Sequence, residues 1–152
     1  MPMADLALAI THHLLVFSLA GILAYEIAAI RSSMTRDDVL RTAQVDLGYG
    51  VLAAAILVVG LVRANFAAKG WAYYSVNVLF WAKMCAFVIV GLLSITPTLA
   101  LARWRRAAAD RASFSPAERD LRNVRRFLWA EAAFFALIPA FAAAMARGYG
   151  MP

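Results

Sequence analysis

Two adjacent histidines and one lysine are the first candidates for a chemical role, because they lie inside apolar stretches of the chain. His12 and His13 occur in the first stretch and Lys83 in the third. Placing an ionisable side chain at the centre of a bilayer costs at least about 2.5–3.5 kcal/mol, so each such residue needs a structural or functional explanation. Neutral imidazole ligates haem iron and metal ions. Lysine can ligate iron or pair with a haem propionate. These three residues are therefore candidates for a common site.

Three carboxylates, Glu26, Asp46 and Glu131, lie in other parts of the apolar stretches. One interpretation of Asp46 is that it lies at the membrane interface. One interpretation of Glu26 and Glu131 is that they pair with arginines of the loops. Like charges in a low dielectric cannot all stay ionised, so a proton-handling role is the alternative hypothesis.

The elements that would position these residues are four apolar segments, at about residues 6–30, 43–65, 76–102 and 127–146. The chain is 64% hydrophobic and 16% charged, against about 45–50% and about 25% for soluble domains. Each segment reaches the ~20 residues that span a ~30 Å hydrocarbon core, and none alternates like a barrel strand. The sequence predicts an all-α integral membrane four-helix bundle, as one domain over residues 1–152.

The cations predict how this bundle is oriented. Eleven of the fifteen Lys and Arg residues lie in the first and third connections between segments. The positive-inside rule makes these connections cytoplasmic, so both termini lie outside. No separate module for nucleic acid remains, and the basic loops can instead touch anionic lipid. The eleven are Arg31, Arg36, Arg41, Arg103, Arg105, Arg106, Arg111, Arg119, Arg122, Arg125 and Arg126.

This orientation sorts the ionisable residues into two layers. At ~1.5 Å per residue, His12 and His13 lie only about 10 Å below the outer surface, and Lys83 lies at nearly the same depth. Arg63 is at the outer end of the second segment, either as a snorkelling residue or as a further cofactor-binding cation. The three carboxylates lie near the inner ends of their segments. We expect a basic outer layer and an acidic inner layer.

Helical angles distinguish the two histidines. At about 100° per residue, His12 falls within about 40° of Glu26 on one face, whereas His13 is about 140° away. Because a carboxylate should not face lipid, His12 is expected to face the bundle interior. The two imidazoles diverge too far to hold one iron easily. One haem b ligated by His12, with His13 as the fallback and Lys83 nearby, is the most economical arrangement.

Local signals place helix starts and contact faces. Thr35 to Asp38 is close to a capping box, and Ser115 to Glu118 is a closer match with Pro116 at the first helical position. Residues 107–114 read as a loop. Lys69-Gly70-Trp71 and Tyr73-Tyr74 predict an aromatic belt at the outer interface. The alanine stripe of the last segment predicts a homo-oligomer, taken to be a dimer; it consists of Ala132, Ala136, Ala140 and Ala144.

Several short stretches carry a resemblance that covers about residues 5–150. The chain resembles a bacterial family of small four-span membrane proteins known only as a domain of unknown function. More distantly, it resembles the HemJ-type protoporphyrinogen oxidases and the CopD copper-resistance membrane proteins. The stretches are His12-His13-Leu14 with Glu26, Asp46-Leu47-Gly48-Tyr49-Gly50, Phe80-Trp81-Ala82-Lys83, Ser94-Ile95-Thr96-Pro97-Thr98, and Ala130-Glu131 with Pro139.

The resemblance implies a bacterial inner membrane and, through the HemJ type, bound haem b. It implies His12 or His13 as the axial ligand and Lys83 as the second functional group, with a catalytic role. Two other functions stay open. One is a CopD-like metal-binding or transport protein, with His12 and His13 as ligands and methionines at the outer ends, Met1, Met3, Met145 and Met151. The other is an assembly subunit whose polar residues only hold helices together.

Overall fold

The computed structural model describes residues 2–66 and 70–151, and within them every regular element is a helix. Four helices are long and apolar enough to cross a membrane, which confirms the predicted all-α fold. A fifth, short helix occupies the second connection, where no helix was predicted. The bounds are α1 Pro2–Ala29, α2 Arg36–Phe66, α3 Gly70–Ser75, α4 Val78–Asp110 and α5 Glu118–Ala146.

The four long helices form two antiparallel pairs, α1 with α2 and α4 with α5. The pairs pack through α2 against α4 and α1 against α5, so α1 lies diagonal to α4 and α2 diagonal to α5. We call the end where α1 begins and α5 ends the terminal end. The other end, which holds the two arginine-rich connections, is the basic end. The terminal end corresponds to the side predicted to lie outside the cytoplasm. The basic end corresponds to the side predicted to be cytoplasmic.

The start of α2 confirms the first predicted capping box. Thr35 precedes the helix, and its hydroxyl oxygen accepts a 3.3 Å hydrogen bond from the amide of Asp38. In return, a carboxylate oxygen of Asp38 accepts from the amide of Thr35 at 3.0 Å. Two donors that the first turn leaves without partners are thereby satisfied.

The second predicted cap is wrong. Helix α5 begins at Glu118 after Ala117, which makes no side-chain capping bond. The Ser115 hydroxyl instead donates to the carbonyl of Met34, 3.0 Å away in the other connection. The predicted loop is also too long, because α4 continues to Asp110 with Ala108 fully buried. Long-range contacts between the two basic connections therefore replace the local cap.

Most of the apolar core lies toward the basic end, where Ile30, Val39, Leu101 and Leu128 are fully buried. The terminal end has a smaller cluster around Ala64, Phe80 and Met145. The packing thus leaves room for a cavity near the terminal end.

A buried asparagine holds the terminal end together. The Asn77 side-chain oxygen accepts from the amides of Leu79 and Phe80 at 2.9 and 3.3 Å, which caps α4. Its amide group donates to the carbonyl of Tyr149 at 3.1 Å. Gly150 has φ +82°, and a Cβ there would lie 2.7 Å from the Asn77 oxygen. The C-terminal segment is therefore fastened to the start of α4.

The predicted aromatic belt lies beside this cap. Trp71 packs edge-on against Phe80 and Trp81, with ring centroids 5.9 and 6.4 Å apart. Tyr73 and Tyr74 are likewise perpendicular neighbours at 5.4 Å. Lys69, the cation assigned to this belt, lies outside the described residues.

Candidate functional site

A cavity near the terminal end brings together residues from all four long helices. His12 comes from α1, Gly60 from α2, Lys83 from α4 and Phe135 from α5. The enclosed volume is about 60 Å³, within a cleft whose free space, including the part open to the exterior, is about 610 Å³. The structure thus places the predicted pair, His12 and Lys83, at the same cavity.

His12 is half-buried and rests against a glycine. A Cβ at Gly60 would lie 3.3 Å from the His12 Cε1 atom, so the absent side chain makes room for the ring. The Nδ1 atom of His12 is buried without a hydrogen-bond partner in the part of the chain that the structure describes. Buried polar atoms in folded proteins nearly always have a partner. This nitrogen is therefore left with unsatisfied hydrogen-bonding capacity among the described residues.

His13 points away from the cavity. Its side chain is exposed, and its Nδ1 donates to the carbonyl of Ala9 at 2.7 Å. The two imidazole rings are perpendicular, with centroids 6.3 Å apart. As the helical angles predict, only one of the two histidines faces the bundle interior. The pair does not converge on one metal ion.

Lys83 and Arg63 supply positive charge near His12. The Lys83 Nζ lies 5.1 Å from the centroid of the Phe80 ring, a cation–π distance. Arg63 does not line the cavity, and its Nε is buried without a hydrogen-bond partner. None of the three ion pairs between described residues includes either cation. Both therefore remain available to an anionic group.

Sequence reasoning missed several residues of this cavity. Met84 and the aromatic rings of Phe80, Phe87 and Phe135 line it together with His12. A methionine or phenylalanine in an apolar helix carries no signal of its own, because such residues are common throughout a membrane span. Only the position of Met84 next to Lys83 could have drawn attention to it.

The three carboxylates lie in the half of the bundle toward the basic end. Glu26, Asp46 and Glu131 are 2%, 6% and 1% exposed, and we call them the carboxylate cluster. Glu26 is close enough to Asp46 and Glu131 to interact with both electrostatically. The bundle thus has a basic layer and an acidic layer, and Asp46 is buried among the helices.

Hydroxyl groups, not arginines, contact the cluster. The Tyr49 hydroxyl donates to Glu131 across the diagonal of the bundle. The Thr98 hydroxyl donates to Asp46 at 2.8 Å. Arginines of the basic connections pair with exposed carboxylates instead, at Asp37, Asp38 and Glu118. Arginine pairing, one of the two interpretations of Glu26 and Glu131, is therefore not what the structure has.

A groove between α2 and α4 connects the cluster to the space beside the helices. Its volume is about 540 Å³, and Asp46, Tyr49 and Thr98 line it. The groove and the terminal-end cavity share three lining side chains, Leu19, Leu57 and Phe87. These apolar side chains form the boundary between the two spaces.

A multi-ligand metal centre is not preassembled. Over residues 2–66 and 70–151, no group of three or more His, Cys, Asp or Glu side chains has the geometry to hold a metal ion. Of the methionines at the terminal end, Met3 and Met151 are exposed and Met145 is buried. Met1 lies outside the described residues.

Comparison with known proteins gives a family without an assigned activity. A family model described as a predicted membrane protein (DUF2214) matches residues 4–150, nearly the whole chain. No curated protein and no solved structure matches it.

Proposed function

The chain belongs to the DUF2214 family of predicted membrane proteins, and we propose that it binds haem b and has a redox function in the membrane. The observation that carries this proposal is the buried His12 nitrogen without a partner, at a cavity that also holds Lys83. Imidazole near the end of a helix in a membrane bundle is a common ligand of b-type haem.

The residues around His12 fit the other parts of a haem. Among the described residues neither Lys83 nor Arg63 is in an ion pair, so both cations suit the two propionates. Phe80, Phe87 and Phe135 offer apolar walls for the macrocycle. Met84 and Lys83 also line the cavity, and either side chain would be able to bind the iron of a haem held there. When bound, the haem supplies a one-electron iron centre whose potential the protein tunes through these ligands.

The size of the space around His12 limits how a haem could bind there. The cavity itself, at about 60 Å³, is too small for a porphyrin, and the roughly 610 Å³ of free space around it includes space open to the exterior. A haem would therefore occupy the cleft as a whole, with part of its edge uncovered by this chain. A protein partner or lipid would cover that edge.

The resemblance to the HemJ-type oxidases supports an oxidoreductase as the specific form of this function. Lys83 would then act on the substrate as the catalytic group beside the haem. A CopD-like metal site with His12 and His13 has less support, because the two rings diverge and no three-ligand group exists among the described residues.

The proposal includes a place and an assembly state. The family resemblance favours a bacterial inner membrane, and the arginine-rich connections favour an orientation with both termini on the periplasmic or extracellular side. The exposed Ala136 and Ala140 of α5 favour a homodimer, because small residues allow helices to approach closely. Native mass spectrometry that finds only monomer in several mild detergents would contradict the dimer.

An absorbance scan of the full-length protein tests the function. The protein is produced with ample haem supply and purified in mild detergent. We expect a Soret band and about one haem per chain by the pyridine haemochrome assay. A protein that is folded by circular dichroism and carries no haem would contradict the proposal and leave the assembly-subunit hypothesis.

A further inference from the structure

The carboxylate cluster has too few donors for three ionised groups. An ionised carboxylate only accepts hydrogen bonds, through two oxygen atoms. The bonds given to Asp46 and Glu131 by Thr98 and Tyr49 serve one oxygen each. The Oε1 atom of Glu26 is buried without a partner among the described residues. A proton on a carboxylate would convert one acceptor into a donor and reduce this deficit.

The charged side chains that interact with Glu26 in the described part of the chain are carboxylates, so they carry the same sign of charge as an ionised Glu26. Helix α2 presents the Asp46 carboxylate and α5 the Glu131 carboxylate, and the Tyr49 hydroxyl that donates to Glu131 is uncharged. Helix α4 contributes the uncharged Thr98 hydroxyl to Asp46. The ion pairs of the described ranges all lie elsewhere, at exposed positions. Burial of three negative charges with no cation is prohibitive in a bilayer, so something positive must accompany them.

A proton suits this site better than a metal ion. The three side chains do not form a group with the geometry of a metal site. A proton needs no such geometry, because it is held by one oxygen atom and shared through a hydrogen bond. Asp46, Tyr49 and Thr98 line the groove between α2 and α4, a space of about 540 Å³, so water that enters the groove would reach Asp46 and exchange protons with it.

We propose that Glu26, Asp46 and Glu131 form a proton-binding site that exchanges its protons through the groove between α2 and α4. Glu26 is the member that most needs a proton, because no hydroxyl donates to its buried oxygen. Asp46 connects the site to the groove. This function does not depend on haem, and a protein without haem would keep it.

Infrared difference spectroscopy of the full-length protein in lipid nanodiscs tests the site. At neutral pH we expect the carbonyl stretching band of protonated carboxylic acids, shifted to lower frequency after transfer to D₂O. Glu26→Gln should remove part of this band. The control Glu118→Gln should leave it unchanged, because Glu118 is exposed and paired with Arg122 at 2.9 Å.

Three results would overturn the proposal. The first is wild-type protein without the band at neutral pH. The second is a band that does not shift in D₂O, since the protons would then not exchange. The third is loss of the band when sodium replaces choline in the buffer, which would assign a metal cation to the cluster. If Glu26→Gln does not fold, Glu131→Gln takes its place, with the same expected loss.

Discussion

His12 and His13 are neighbours of one type at one depth, yet only His12 lies at the cavity. The helical angle between them accounts for this, and the contact with Gly60 fixes the position of the His12 ring. Gly60 also lines the cavity, so it acts on the site both through His12 and by leaving space there.

Gly60→Ala should weaken haem retention. The new methyl group would lie 3.3 Å from the His12 Cε1, which forces the ring to shift by a few tenths of an ångström. Gly50→Ala on the same helix is the control, because nothing lies within 4 Å of its Cβ position. Alanine favours a helix interior by about 1 kcal/mol over glycine in both variants. Haem-to-protein ratios that are equal in the two variants would show that the Gly60 contact does not position the ligand.

Lys83→Ala should lower haem affinity or shift the absorbance spectrum, because it removes a ligand or a propionate partner. Lys83→Arg keeps the positive charge and distinguishes these roles. If Lys83 pairs with a propionate, the arginine variant retains the wild-type spectrum and affinity. If it ligates iron, the arginine variant resembles the alanine variant. A wild-type spectrum and haem affinity in Lys83→Ala would exclude both roles.

At the scale of helices, the two predicted caps show what local sequence determines. Thr35 caps α2 because both partners lie within four residues of each other. The Ser115 motif is equally good locally, but its hydroxyl bonds the carbonyl of Met34, 81 residues away. A pattern within one turn carries no information about a competing partner in a distant connection. The fastening of Tyr149 by Asn77 was missed for the same reason.

Asn77→Ala should destabilise the bundle. It removes two hydrogen bonds to the first turn of α4 and one to the carbonyl of Tyr149. Loss of an N-cap costs typically about 1 kcal/mol and at most about 2 kcal/mol. Thermal unfolding in detergent measures the effect.

Asn65→Ala is the matched control for the asparagine cap. Asn65 is exposed and, among the described residues, its side chain donates to the carbonyl of Leu61 in its own helix. We expect a change within about 0.5 kcal/mol, as for most surface substitutions. Equal unfolding temperatures for the two variants would show that the cap adds nothing to stability.

At the scale of the molecule, composition and segment length were sufficient to predict four membrane-length helices. The two layers of charged residues were also predictable, because the rise per residue and the direction in which each helix crosses the membrane determine how deep a residue lies. The members of the carboxylate cluster were recognised, since buried charge is rare in a membrane. Their partners Tyr49 and Thr98 were not, because hydroxyl groups are tolerated in a span and only the packing of four helices brings them to the carboxylates.

The charge distribution predicts both termini outside the cytoplasm. A C-terminal alkaline phosphatase fusion should be active, and a fusion of the same enzyme within residues 111–117 should be inactive. The reason is that arginines in short connections resist translocation. A fluorescent cytoplasmic reporter that lights up at the C-terminus would contradict the predicted orientation, although the helices themselves would be unaffected.

The most direct measurement for the haem proposal is the haem content of His12→Ala beside His13→Ala, both purified after production with ample haem. His12→Ala should lose the Soret band, because the imidazole at the cavity is removed. His13→Ala should keep it, because that side chain is exposed and bonded to Ala9. Circular dichroism should show equal helix content in both variants. Equal haem content in the two variants, or loss only in His13→Ala, would contradict the assignment of His12 as the ligand.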